Sequence, residues 1–173
     1  MFQRFRLTLA VLFAATTLAA TGSRLAPGTT AKAALPQATT IAGKWRPDAA
    51  LTHVSSLTVN SDGTAASWIY TFYSPKTKKS LNVTISTGAP FDTLEVPNTS
   101  MIPVGDFVDS DAAMKEAAKH QLKGKDPSMG LVVMGSTGSA TWSVNGGFAE
   151  GDVSVVLVGK TGAFIRRQVI SYK

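Results

Sequence analysis

The chain has no cysteine. A disulfide framework, a thiolate nucleophile and any Cys-ligated zinc or iron–sulfur site are therefore excluded. Histidine is nearly as scarce. Only His53 and His120 occur, on separate expected helices and without a second histidine four residues away, so no His-based metal site is expected. Charged residues make up only 16% and hydrophobic residues 44% of the 173, which argues against long disorder. No basic stripe is interleaved with aromatics, so nucleic acid is not an expected partner. No apolar run reaches the roughly twenty residues of a membrane span.

The apolar run that does occur, 7–20, is short and follows a basic start at Arg4 and Arg6. Small residues come next. This is the pattern of a secretory signal peptide, here placed at 1–22, and it implies a secreted or periplasmic protein with no stable membrane span after cleavage. A lipid anchor has no cysteine to attach to. Loss of Arg4 and Arg6 leaves fifteen bases against the eleven acids, a net charge of +4. Residues 23–40, rich in Ala, Thr, Pro and Gly, read as a flexible tether.

Beyond it the sequence reads as one unit written twice. Residues 66–88 align without a gap on 140–162: Trp68 meets Trp142, and Thr87-Gly88 meets Thr161-Gly162. Asp48-Ala49-Ala50-Leu51 echoes Asp111-Ala112-Ala113-Met114 if eleven residues are inserted in the second copy. Pro47 suits a first helical turn, predicting a helix over 48–53. Asp109 or Ser110 can cap a second helix over 111–122. Strands are expected at 56–59, 66–73 and 80–86, then at 131–134, 139–144, 153–158 and 164–172. The expected fold class is α+β. Two helix-plus-antiparallel-strand repeats, 41–100 and 101–173, would form one twisted sheet with the helices packed on one face.

The helix opening Asp-Ser-Asp-Ala-Ala-Met (109–114) and the closing run Val-Val-Leu-Val-Gly-Lys-Thr-Gly-Ala-Phe-Ile (155–165) resemble the PepSY domain family. In that family a helix with an A-x-x-x-A face precedes strands that flank a V-D-A-x-T-G turn. The resemblance covers roughly 44–88 and 106–168, and Gly159 departs from it where the family often has Asp. It implies a non-catalytic protein that binds or inhibits a protein partner, with a peptidase as the leading class, and it implies no cofactor.

The residues offer few catalytic patterns. A Gly-x-Ser-x-Gly elbow is absent. Gly159-Lys160-Thr161-Gly162 lacks the earlier glycine and the following helix of a phosphate loop. A hydrolase using Asp109 and Asp111 is one alternative, but acids at a helix start are already accounted for by capping. A carrier of a small ligand or envelope component is another. For a protein partner, the alternation of strand 66–73 puts Ile69 and Tyr73 on the side away from Trp68. Together with Lys76, Lys78 and Lys79 in the hairpin loop, and Phe148 in a Gly-rich loop at 145–151, they form the expected contact set. Exposed aromatics are effective binding anchors.

Overall fold

A computed structural model describes residues 28–97, 102–122, 126–134, 138–146 and 152–170. In chain order the elements are α1 (Ala31–Trp45), β1 (Ala50–Ser56), β2 (Ser67–Ser74), β3 (Lys79–Ser86), β4 (Ala89–Val96), α2 (Ser110–Ala118), β5 (Ser128–Val133), β6 (Ala140–Gly146), β7 (Asp152–Val158) and β8 (Phe164–Ile170). The strands form one eight-stranded sheet in the order β4-β3-β2-β1-β5-β6-β7-β8. Every neighbouring pair is antiparallel.

Period-two patterning makes these strands. Trp68, Tyr70 and Phe72 of β2, Leu81, Val83 and Ile85 of β3, and Trp142 and Val144 of β6 are all buried, with Thr71, Asn82, Thr84 and Ser143, and the apolar Ile69, between them. The β3–β4 hairpin turns on two residues, Thr87 (φ 50°) and Gly88 (φ 79°), between paired Ser86 and Ala89. Positive φ at both central positions matches the right-handed twist of the flanking strands.

α1 is amphipathic in an unusual way, because its buried side is alanine alone: Ala31, Ala34, Ala38 and Ala42. Small side chains let it lie close against β2, β3 and β4. Thr30 caps it, accepting from Ala33 N–H at 3.3 Å. α2 buries Ser110, Ala113, Met114 and Ala117 and packs on β6 and β7. Both helices share one apolar cluster with the sheet. At its centre Trp68 meets Trp142 edge-on, centroids 6.5 Å apart, and Phe107 meets Trp142 at 6.0 Å. The polar tips of the three fully buried ones, Trp68, Trp142 and Tyr70, are satisfied. Trp68 Nε1–H donates to Thr29 O at 2.8 Å, Trp142 Nε1–H to Val108 O at 3.0 Å, and Tyr70 O–H to Ala31 O at 2.6 Å. Burial, with a smaller push from the Asp109 charge, holds the Tyr70 hydroxyl well above its ordinary pKa.

This architecture corrects the expected fold class. Its described residues are mostly β, eight strands of six to eight residues with two helices of only fifteen and nine. It is not an α+β arrangement of two helix-plus-strand repeats carrying a helical layer on one face. The expected helix over 48–53 does not exist. Pro47 and Asp48 form a turn, and β1 begins at Ala50, where Thr52 and Val54 are β-branched and favour strand. The echo between 48–51 and 111–114 therefore joins a turn and strand to a helix. The expected tether 23–40 is also corrected, since α1 occupies it from Ala31 onward. The expected strand at 56–59 is β1's last residue and a loop, and β4 was not expected at all. The signal peptide at 1–22 lies outside the described residues.

Candidate binding face

The sheet side opposite Trp68 and Trp142 is built from the alternate residues of the same strands. One register row crosses all eight: Asp92, Thr84, Ile69, Ser55, Gly130, Ser143, Val156 and Arg166. The row beside it runs Asn82, Thr71, His53, Val132 and Thr141. Ser55, Thr71, Asn82, Thr84, Thr141 and Ser143 supply small hydroxyl and amide side chains, set among the apolar Ile69, Val132 and Val156. Most of those on the four central strands are half-buried, as on a face that solvent reaches but whose neighbours stand close. Thr71 Oγ1–H donates to Asn82 Oδ1 at 2.8 Å.

His53 stands at the middle of this face, on the strand that joins β2 to β5. Burial pushes its pKa below the ordinary 6.5, which keeps the imidazole neutral at pH 7. It makes no hydrogen bond among the described residues. Gly130 lies beside it, and a Cβ there would stand 3.8 Å from His53 Nε2. The sequence reading missed both residues by placing His53 on a helix.

The hairpin between β2 and β3 borders the face and is rigidly built. Asp48 accepts from Ser74 O–H at 2.9 Å and from Lys76 N–H at 3.0 Å. Ser74 Oγ in turn accepts from Thr77 N–H at 3.3 Å, and Lys78 (φ 55°) closes the turn with its N–H on Ser74 O. The Lys76 amide chiefly, helped by the Ser74 hydroxyl, holds the Asp48 carboxyl below its usual range although burial opposes this. Lys76 and Lys78 are exposed, whereas Lys79 is committed to Glu95 at 2.6 Å.

The expected contact residues therefore separate. Ile69 is half-buried on the face, where it lines a shallow hollow with Leu57, Ala66 and Ser67. Leu57 in that hollow is 83% exposed. Tyr73 is corrected: it is only 8% exposed and cannot anchor a partner. Alternation places it beside Ile69, but that end of β2 is enclosed on both sides, with Thr71, Phe72, Tyr73 and Ser74 all buried. Phe148 lies outside the described residues.

The acid just before α2 caps helices. Asp109 Oδ1 accepts from Ser110 N–H at 2.7 Å and from Lys32 N–H at 2.8 Å, so one carboxylate caps the first turns of both helices. Ser110 Oγ accepts from Ala31 N–H at 3.0 Å. Asp111 accepts from its neighbour Ala112 N–H. Asp109 is thus already occupied by amides, whereas Asp111 borders an open hollow of about 590 Å³ with Ser61, Asp62 and Lys115 that Asp109 does not line. The hollow at Ile69, about 210 Å³, is smaller than the roughly 300–1,000 Å³ that engulfs a small ligand, while wider hollows beside Asp111 and beside Lys160, about 590 and 300 Å³, lie open to solvent at the surface. Among the described residues no group of three His, Asp or Glu side chains could hold a metal ion, and no helix is long and apolar enough to cross a membrane.

No protein-family model and no curated protein matches the chain. The fold is similar to that of a protein from Clostridium difficile 630, solved as a crystal structure and called a putative lipoprotein. The TM-score is 0.56 and the identity 13%, over 78% of this chain and 91% of that one. At that identity the likeness is one of fold.

Proposed function

We propose that this chain is a secreted or envelope protein without catalytic activity, which binds a protein partner on the sheet face around His53. One observation carries the reading: a broad face on which Ser, Thr and Asn side chains stand among Ile69, Val132 and Val156 lies on a rigid eight-stranded sheet, bordered by a pre-shaped lysine-bearing hairpin. A preorganised surface loses little entropy when a partner docks, and Ile69 with Leu57 supplies an apolar anchor beside it. The short apolar run at 7–20 and the likeness to a protein called a putative lipoprotein both favour an extracytoplasmic setting. Within that setting the PepSY resemblance makes a peptidase the leading partner class, and inhibition or modulation the leading effect.

The test is capture of host envelope and secreted proteins by the immobilised chain from residue 23 onward, identified by mass spectrometry. The same capture is repeated with Ser143→Arg, which plants a long cation on the face, and with the double variant K76E/K78E. Ser143→Arg is expected to abolish retention of the partner while leaving the melting temperature unchanged. Retention unaffected by Ser143→Arg but lost in K76E/K78E would move the contact to the hairpin and remove the sheet face from the model.

A further inference from the structure

We propose that copies of this chain join edge to edge, β4 of one against β8 of the next, so that the sheet continues from molecule to molecule. β4 and β8 are the outer strands of the sheet. Phe91 and Leu94 on β4 are 76% and 59% exposed, and Ile165 and Val169 on β8 are exposed as well. An uncovered outer strand is a template for another strand.

Charge decides which edges meet. β4 carries Asp92 and Glu95 and no base, whereas β8 carries Arg166 and Arg167 and no acid. Pairing β4 with β4, or β8 with β8, sets like charges against each other, which is destabilising, while the mixed pairing sets opposite charges together. The topology allows the mixed pairing. Strand direction alternates across eight strands, so β4 and β8 run antiparallel to one another. A second copy in the same orientation then presents an antiparallel strand with matching faces. In the register that sets Leu94 against Arg166 and Thr93 against Arg167, Arg166 is diagonal to Asp92 on the His53 side. Arg167 is diagonal to Glu95 on the Trp68 side. Diagonal neighbours lie about 7–8 Å apart, within reach of an arginine.

Among the described residues Asp92, Arg166 and Arg167 form no ion pair. Glu95 already holds Lys79 and accepts from Trp45 Nε1–H at 3.3 Å, and Arg167 would join that carboxylate from the other side. Pro90 and the irregular register where each outer strand meets its neighbour blunt indiscriminate pairing and leave selection to the charges. Because two different edges meet, the contact is not two-fold symmetric, each copy keeps a free edge, and association continues past a dimer.

Sedimentation of the chain from residue 23 onward tests this. The average mass is expected to rise with concentration past a dimer, and to fall in high salt as the charges are screened. The variant R166E/R167E has two acidic edges and D92K/E95K two basic ones, and each alone is expected to lose association. Their equimolar mixture is expected to recover it, since every junction is then acidic against basic. If D92K/E95K fails to fold, loss of association in R166E/R167E still decides. The proposal is overturned if the unaltered chain stays monomeric at every concentration, if growth stops at a dimer, or if R166E/R167E associates as before. A mixture of two folded variants that stays monomeric overturns it too.

Discussion

His53 is a titratable group in the middle of a sheet face, held below its ordinary pKa by burial. The sign of its linkage to stability follows. Above about pH 6.5 the imidazole is neutral in folded and unfolded chains alike, and stability is at its full value. As pH falls through that value the unfolded chain takes up the proton first, so stability drops until the lower folded pKa is passed. Asp48, Glu95, Asp106 and Glu116 are also lowered, each mainly through hydrogen bonds to its carboxylate. They act in the same direction but in the window below about pH 4.5. The urea midpoint is therefore expected to decline between about pH 7 and pH 5. His53→Thr, which suits a strand, should flatten that decline. An unchanged slope in the variant would assign the titration to another group. In the sequence, His53 carried no mark of its position, because Pro47 drew the surrounding residues into an expected helix. The period-two run through Thr52, Val54 and Ser56, all buried, marks the strand in the structure.

α1 was the least legible element, for a physical reason. A stripe of alanine alone has little hydrophobic contrast, and Pro36 with Thr30, Thr39 and Thr40 resembles linker composition. What marks it as structure is what it supplies to the sheet. Its start and the residues just before it accept the Trp68 and Tyr70 hydrogen bonds through Thr29 O and Ala31 O, and its alanines close the cluster over β2 and β3. β2, β3 and β6 were legible because aromatic and β-branched residues alternate there. A chain begun at Ile41, the expected domain start, loses those acceptors and three of the four buried alanines. Each buried donor left unsatisfied costs about 1–3 kcal/mol, against a total stability of roughly 5–15 kcal/mol. A chain begun at Gly28 is expected to give a dispersed amide spectrum and strong near-ultraviolet dichroism, and one begun at Ile41 to lose both. Retention of both signals by the shorter chain would make α1 dispensable.

At the scale of the molecule the question is whether the two expected units, 41–100 and 101–173, fold as one body. The contacts cross that boundary repeatedly. β1 and β5 are neighbours at the centre of the sheet, with Val54 opposite Leu131. The Trp68–Trp142 contact spans the same seam. The first turn of α1 is tied to Ser110 and to Asp109, nearly eighty residues away. The two halves share one core, since Val54, Trp68, Leu131 and Trp142 belong to one buried cluster. Opening the seam would expose apolar surface on both sides at once, so neither half gains by unfolding alone. The chain is therefore expected to melt in a single transition with equal calorimetric and van't Hoff enthalpies. Leu131→Ala removes a fully buried side chain at the seam and should cost about 2–5 kcal/mol. It is expected to shift that one transition to lower temperature as a whole. Two resolved transitions, only one of them moved by Leu131→Ala, would mean that the halves fold independently and that the seam is an interface between domains.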